Sequence, residues 1–465
     1  MYGNLNVAQV ALSLESSSRF GENADGLSLG GVKWAYYPSV QLGWAISNEK
    51  WFPKTSALNY FLLKAGYDIT GNDDINNYAA RTSFQVMQYL NNTSVHMLNN
   101  IGNDKITYEK TGQWNVGFKS YLLNNRLGVD FNYYQKHTTN LLTLKTFENP
   151  VAGINNYWSN GGSMDNQGFE VTVTTKPVVS KDFNIELGAS VGHYENKIKT
   201  LPNDDKLYVD GVKYAQGYTS SIYGTDNIAT IVGQPVGSFY GYKTAGVFAT
   251  DAQAKAAGNN DYLYYLDETG AKQYFKAGDM HFVDINKDGK IDEADKTIIG
   301  NPNPDIYGNI FGSVMWKNFT LTLGLNYSLG NDVYNYSRSV LESGSNFYNQ
   351  TIAMANRWRH EGQVTDMPRL SYGDPMGNAR FSDRWIEDGS YLRLKTVNIS
   401  YKVPVKGDWI QGLTIWAEAN NLFTITKYLG SDPEFSAANG VLYQGIDPGN
   451  VALSRTFTFG MKINL

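Results

Sequence analysis

The sequence predicts an all-β protein, a transmembrane antiparallel β-barrel with long extracellular loops and short periplasmic turns. Three observations lead there: residues alternate with a period of two, the alternating segments are long, and the connections between them alternate in length. Phe319, Leu321, Leu323, Leu325 and Tyr327 stand against Thr320, Thr322, Gly324, Asn326 and Ser328. Phe183, Ile185, Leu187, Ala189 and Val191 stand against Asn184, Glu186, Gly188, Ser190 and Gly192. Phe457, Phe459, Met461, Ile463 and Leu465 close the chain in the same way. Side chains on a strand point to opposite faces in turn, so each segment has one apolar and one polar face. The segments run about 11–17 residues, against about five or six in ordinary strands. Roughly 9–11 tilted residues cross a bilayer.

About fourteen segments carry this pattern, near 2–16, 36–47, 57–70, 108–121, 126–138, 164–176, 182–198, 222–232, 238–248, 305–315, 318–331, 388–403, 412–427 and 452–465. Alternation is imperfect in 222–232, 388–403 and 412–427. Long connections (17–35, 71–107, 139–163, 199–221, 249–304, 332–387 and 428–451) take turns with short ones. Bacterial membrane barrels sort their loops by side in this way, whereas a soluble sandwich has no reason to. A loop as long as 249–304 is also hard to place inside a compact domain. By this parity 249–304 is extracellular and both termini are periplasmic. An array of soluble β-sandwiches with amphipathic strands is the rival reading.

Composition agrees. The 465 residues include 33 Tyr, 21 Phe and 10 Trp, and aromatic belts at two membrane interfaces would use such a surplus. The net charge of −5 gives no basic surplus for nucleic acid. With no cysteine there is no disulfide, thiolate metal site or Cys nucleophile. The longest apolar run, Tyr262 to Leu266, is too short for a transmembrane helix. Met1-Tyr2-Gly3-Asn4-Leu5 lacks the basic and apolar regions of a signal peptide.

One stretch has the spacing of a calcium loop. Asp284, Asn286, Asp288, Asp292 and Asp295 put side-chain oxygens at positions 1, 3, 5, 9 and 12 of 284–295, with Gly289 at 6 and the Lys290 carbonyl at 7. Asp replaces the usual bidentate Glu at position 12. A polar turn that binds nothing is the alternative. Gly188-Ala189-Ser190-Val191-Gly192 matches a hydrolase motif, but it continues a strand where that motif needs a strand-to-helix elbow. The five histidines show no metal-ligand spacing, and the pairs Asp73-Asp74 and Asp204-Asp205 read as solvated loop residues. Nothing points to an enzyme. Candidate substrate-binding aromatics are Tyr157 and Trp158 in one loop, and Phe347, Tyr348, Trp358, Tyr372 and Trp385 in another. They would stack on sugar rings or peptide side chains, or else pack the loops over the barrel mouth.

Several motifs occur in a fixed order. They are Ser17-Ser18-Arg19-Phe20-Gly21, Tyr37-Pro38-Ser39, Asn166-Gln167-Gly168-Phe169-Glu170, Gly233-Gln234-Pro235-Val236-Gly237-Ser238-Phe239-Tyr240-Gly241-Tyr242, Gly300-Asn301-Pro302-Asn303-Pro304-Asp305, Ser390-Tyr391-Leu392-Arg393-Leu394, and Asn420-Asn421-Leu422-Phe423 with Asp432-Pro433-Glu434. The ordered set resembles the SusC/RagA family of TonB-linked outer-membrane proteins of Bacteroidota. Departures are Val451-Ala452 where the family has Tyr-Pro, Leu465 where it ends in Phe, and Gly66-Tyr67-Asp68 where it has Ser-Tyr-Gly.

The resemblance implies a chain about twice as long, with plug, TonB box and a barrel of roughly twenty-two strands. This sequence would be the C-terminal barrel portion, residues 1–465, without plug or TonB box. The implied role is an outer-membrane component of an importer of oligosaccharides or peptides. Implied partners are outer-membrane lipid, a SusD-like surface lipoprotein, the barrel-assembly machinery (reading Phe457, Phe459, Met461, Ile463 and Leu465), and TonB through the part that precedes. The alternative function is a secreted soluble β-domain for binding or adhesion, with a calcium-stabilised loop. No cofactor beyond structural Ca2+ is expected.

Overall fold

The computed structural model describes residues 6–53, 55–89, 92–97, 101–151, 154–202, 206–209, 213–258, 261–405 and 409–464. The chain divides into two units: Met1–Pro177 with Glu186–Pro202, and Val178–Ile185 with Asn203–Leu465.

The first unit is an antiparallel meander. Its strands are β1 (Asn6–Glu15), β2 (Val32–Ala45), β3 (Leu58–Asn72), β4 (Glu109–Leu122), β5 (Leu127–Thr139), β6 (Ser163–Val179) and β7 (Phe183–Thr200), each beside its predecessor. Alternation sorts the side chains by face. Leu63 pairs with Phe118, and Phe118 with Phe131. The rings of Phe61, Phe118 and Phe131 stack at successive spacings of 5.6 Å and 5.6 Å. On the opposite face Lys64 Nζ donates to Asp130 Oδ1 at 2.7 Å. The tight turn from β4 to β5 holds Leu123, Asn124 and Asn125 at φ of 53°, 56° and 62°. The left-handed region is most accessible to Asn among these types, which explains the Asn pair at this turn.

The second unit contains a second meander of β8 (Ile306–Trp316), β9 (Phe319–Leu329), β10 (Tyr391–Val403), β11 (Gly412–Thr426) and β12 (Thr456–Asn464). It also contains a folded body built from the long connections. That body has a five-stranded sheet in the order Lys206–Val209, Lys213–Ser220, Ile228–Ile231, Ser238–Tyr242 and Lys296–Gly300.

Two of the expected membrane strands are therefore corrected. The segments 222–232 and 238–248 contribute Ile228–Ile231 and Ser238–Tyr242, whose residues are all buried. A strand covered on both faces has no polar side to alternate with.

The expected barrel is corrected as well. No sheet among the described residues closes on itself: in its sheet β1 is bonded to β2 alone, and β12 to β11 alone. Hydrocarbon does not tolerate unpaired strand edges. The described residues therefore do not form the expected closed transmembrane barrel, and the outer-membrane location and importer role drawn from it are corrected with it. No described helix is long and apolar enough to cross a membrane, an observation that concerns helices alone. The edge strands are apolar and open: Val10 is 77% exposed in β1, and Phe459 79% in β12.

One ion pair ties the second meander to the loop that follows β11. Arg393 of β10 is 1% exposed and meets Asp432. Its Nη1 lies 3.4 Å from Glu434 Oε2. Asp432 also accepts from the backbone N–H groups of Glu434 and Leu453, at 2.9 Å and 3.0 Å. Burial pushes the Asp432 carboxyl up, but the hydrogen bond from Arg393 and those backbone donors outweigh it and hold it below the usual range. Removing one partner of a buried pair leaves the other charge uncompensated. Asp432→Asn should cost about 3–5 kcal/mol by that rule, read as a lowered urea midpoint. Arg393→Met combined with Asp432→Leu should cost less than the single change.

Candidate functional site

Among the described residues the body of the second unit has three apolar clusters, the smallest of Ala229, Ile231 and Tyr240 beside two larger cores. One gathers Phe248, Leu263, Phe275, Met280 and Phe282 beneath the helix Asp251–Ala257. The other gathers Ile228, Phe239, Tyr334, Trp385 and Ile446. A short three-stranded sheet joins the latter: Asp332–Asn335 pairs antiparallel with Ile386–Asp388 and parallel with Ile446–Asp447. The long connections thus fold on each other.

Several charged groups are built into these cores, most of them with ionic partners. Asp279 is fully buried and takes both prongs of Arg369, at 2.8 Å and 3.0 Å, with Asn378 Nδ2 at 3.1 Å. Arg338 bridges Glu342 at 2.9 Å and Glu387 at 3.0 Å. Arg384 lies 4.3 Å from the centre of the Trp385 ring. Burial, aided by the Arg338 charge, lowers its pKa to about 10.

The candidate aromatics fall into different settings. Phe347, Tyr348 and Tyr372 are 91%, 68% and 74% exposed, and the rings of Phe347 and Tyr372 stand 5.0 Å apart. Ile352 and Val364, also exposed, belong to the same connection. Trp358 is half-buried, donates to Ala249 O at 3.3 Å and packs on Gly278. Gly278 has φ +88°, and a Cβ there would meet the Trp358 ring at 2.5 Å. Trp385 is wholly buried and donates to Arg380 O at 3.1 Å. Trp158 belongs to the first unit and packs on a cluster of Ile75, Ala79, Ala80 and Ile106. Its neighbour Tyr157 is half-buried.

In the segment 284–295, side-chain oxygens organise the backbone. Asp284 accepts from the N–H of Lys287, Asp288 and Gly289 at 2.7 Å, 3.2 Å and 2.7 Å. Asn286 and Asp288 accept from the next residue but one. Asp295 is buried, and its two oxygens take Ile285 N and Asp292 N at 2.9 Å each. Burial raises its carboxyl to about 6. The Lys290 ammonium sits 2.6 Å from Asp292 and 3.7 Å from Asp288. Among the described residues no group of three or more His, Cys, Asp or Glu is placed to hold a metal.

Ser190 lies within β7, with no helix following it. Asp73 is bound to Arg19 at 2.9 Å, and Asp204 and Asp205 lie outside the described residues. Phe457, Phe459, Met461 and Ile463 share one exposed face of β12, while Leu465 lies outside the described residues.

Residues 4–271 match the family described as TonB dependent receptor-like, beta-barrel. The chain belongs to that family. TonB-dependent receptor P3 of Formosa agariphila is 28% identical over 469 residues, covering 97% of this chain and 43% of the relative. TonB-dependent receptor SusC of Bacteroides thetaiotaomicron is 28% identical over 473 residues, covering 97% of this chain and 41% of the relative. In fold, the structure of the RagAB peptide transporter superposes with a TM-score of 0.76 at 23% identity, covering 98% of this chain and 46% of that one. The SusC/RagA resemblance is thereby established, and these TonB-dependent receptors are not enzymes. The chain spans under half the length of the relatives it matches.

Two of the resemblance motifs meet in space, since Arg393 of Ser390–Leu394 pairs with Asp432 of Asp432-Pro433-Glu434. The buried Asp279 escaped the sequence reading because Arg369 and Asn378 lie far along the chain, and the half-buried Arg338, although Glu342 stands four residues on, owes its other carboxylate, Glu387, to a remote segment. The settings above separate a core residue from a surface one. Trp385→Ala should cost about 3–5 kcal/mol, and Tyr372→Ala should stay within about 0.5 kcal/mol, both measured by thermal unfolding of the whole chain.

Proposed function

We propose that this chain is the binding portion of a TonB-dependent receptor: a β-sheet protein whose folded connections hold a ligand, and not a transporter in its own right. The observation that carries the reading is the exposed aromatic pair Phe347 and Tyr372, with Tyr348 beside them in sequence, on a body that has its own cores. Exposed rings on a fixed support supply contact area at small entropic cost, and such patches mark interaction sites. The ligand class is an oligosaccharide or a peptide. The peptide arm draws support from the fold shared with a structure named as a peptide transporter. A SusD-like surface lipoprotein is the protein partner that family membership suggests, and TonB would act through segments outside this chain.

The same reading places Ca2+ in the segment 284–295. Support comes from the five oxygen-bearing side chains at calcium-loop spacing and from the turn that Asp284 already organises. Asp284, Asn286, Asp288, Asp292 and Asp295 would supply side-chain oxygens and Lys290 its carbonyl, with the Lys290 ammonium moving off Asp292. The ion would stiffen the connection that carries the first core.

Calorimetric titration of the whole chain with a panel of oligosaccharides and short peptides should find a binder. Phe347→Ala with Tyr372→Ala should weaken it at least about tenfold, or about 1.4 kcal/mol. Unchanged affinity in the double variant would remove the aromatic pair from the site. Millimolar Ca2+ should raise the melting temperature by several degrees, and Asp284→Ala with Asp288→Ala should abolish that rise.

A further inference from the structure

A cavity of about 490 Å³ opens in the second unit among Tyr242, Lys296, Tyr334, Arg380 and Trp385. Its lining does not include Phe347, Tyr348 or Tyr372, but it does include Trp385, one of the candidate aromatics. Two cationic heads share one ring there: Lys296 Nζ is 5.7 Å and Arg380 Cζ 5.8 Å from the centre of Tyr242. Their settings differ. Lys296 is paired with Glu293 at 2.8 Å. Arg380 has no carboxylate within ion-pair distance and no side-chain hydrogen bond among the described residues. Its guanidinium lies instead among aromatic rings, 4.5 Å from the centre of Tyr265, 5.4 Å from Phe282 and 5.9 Å from Phe275, and the Asp374 carboxylate, beyond ion-pair distance, acts on it through space while accepting from Asn378 N and Ala379 N.

Ring faces attract a cation but leave its N–H groups without acceptors. Arg380 is half-buried at the cavity, and a partly desolvated guanidinium pairs best with a carboxylate or phosphate in a two-pronged contact. Two arginines nearby are held in that way, Arg369 by Asp279 and Arg338 by Glu342 and Glu387, whereas Arg384 lies over the Trp385 ring and reaches only the Glu342 carbonyl and the Met367 sulfur. Two carboxylates also line the cavity. Glu293 is committed to Lys296, and Asp226 accepts from the Thr219 hydroxyl at 2.9 Å. The acceptor that Arg380 lacks is therefore not supplied by the lining.

We propose that this cavity binds the carboxylate of an organic ligand, with Arg380 as its fork and Tyr242, Tyr334 and Trp385 walling the adjoining apolar part. The volume admits a terminal residue or one sugar ring, so the carboxylate belongs to a peptide C-terminus or to a uronic acid. The proposal deepens the binding role, since it names the charge of the ligand, but it uses residues other than Phe347 and Tyr372.

The test uses the whole chain and three pairs of probes: a tetrapeptide with a free C-terminus against its amide, galacturonate against galactose, and acetate against acetamide. Binding is followed by intrinsic fluorescence, because Trp385 lines the cavity, and by calorimetry. The expected result is that the free acid of at least one organic pair binds at least tenfold more tightly than its neutral counterpart. Arg380→Gln should remove that preference, and Arg380→Lys should restore part of it. Near-ultraviolet circular dichroism establishes that the variants are folded. If Arg380→Gln unfolds the chain, competition of the wild-type site by acetate but not acetamide is the deciding measurement. Equal affinity for acid and neutral probes, or an acid preference that survives Arg380→Gln, would overturn the proposal. Unchanged binding in the Phe347/Tyr372 double variant, with the acid preference still lost on Arg380→Gln, would refute the aromatic pair and leave this cavity standing.

Discussion

Backbone pairing between successive antiparallel strands is the constraint on which the rest of this structure depends. In each unit a long strand bonds to the one before it, and register follows from alternation. A slip of one residue would turn Phe118 and Phe131 onto the face that holds Lys64 and Asp130. That cost fixes where each strand ends, and so fixes the residues from which the long connections leave. The ion pair of Arg393 with Asp432 depends on the same register, because β10 presents Arg393 where the loop after β11 returns.

The folded body in the second unit is held together by different means. Its strands are short, and apolar clusters with enclosed charges carry it. Arg338, Arg369 and Arg393 are each matched by carboxylates. Such pairs contribute modestly to net stability but penalise alternative packings, in which one member would be left alone. Trp385 shows how one residue serves several contacts. Its ring fills the core, two guanidinium groups lie over it, and its indole N–H reaches Arg380 O.

The strands were legible in the sequence wherever one face is apolar and the other polar. β9, with Phe319 to Tyr327 alternating against Thr320 to Ser328, was plain. Ile228–Ile231 and Ser238–Tyr242 misled, because enclosure on both sides removes the period that distinguishes a sheet crossing a membrane from a small buried one. Closure was not legible at all. Alternation records the two faces of a strand but not whether its outer edge has a neighbour, and β1 and β12 have none on that side. Of the candidate aromatics, sequence could not separate Trp385 from Tyr372, since both are large rings in one connection. Arg380 carried no signal, because its surroundings come from Tyr242, Tyr265, Phe275 and Phe282, which are remote in the chain.

The meander order has a kinetic consequence. When each strand pairs with the one just synthesised, the chain segment to be closed is short and the entropic barrier small. Hairpins such as β4 with β5 and β8 with β9 are able to form as soon as both arms have left the ribosome. The exceptions are the long connections, residues 73–108 after β3, 201–305 after β7, 330–390 after β9 and 427–455 after β11. Folding of the body should therefore be late, because its core joins Ile228 and Phe239 to Tyr334, Trp385 and Ile446, which leave the ribosome only after β9 and β11.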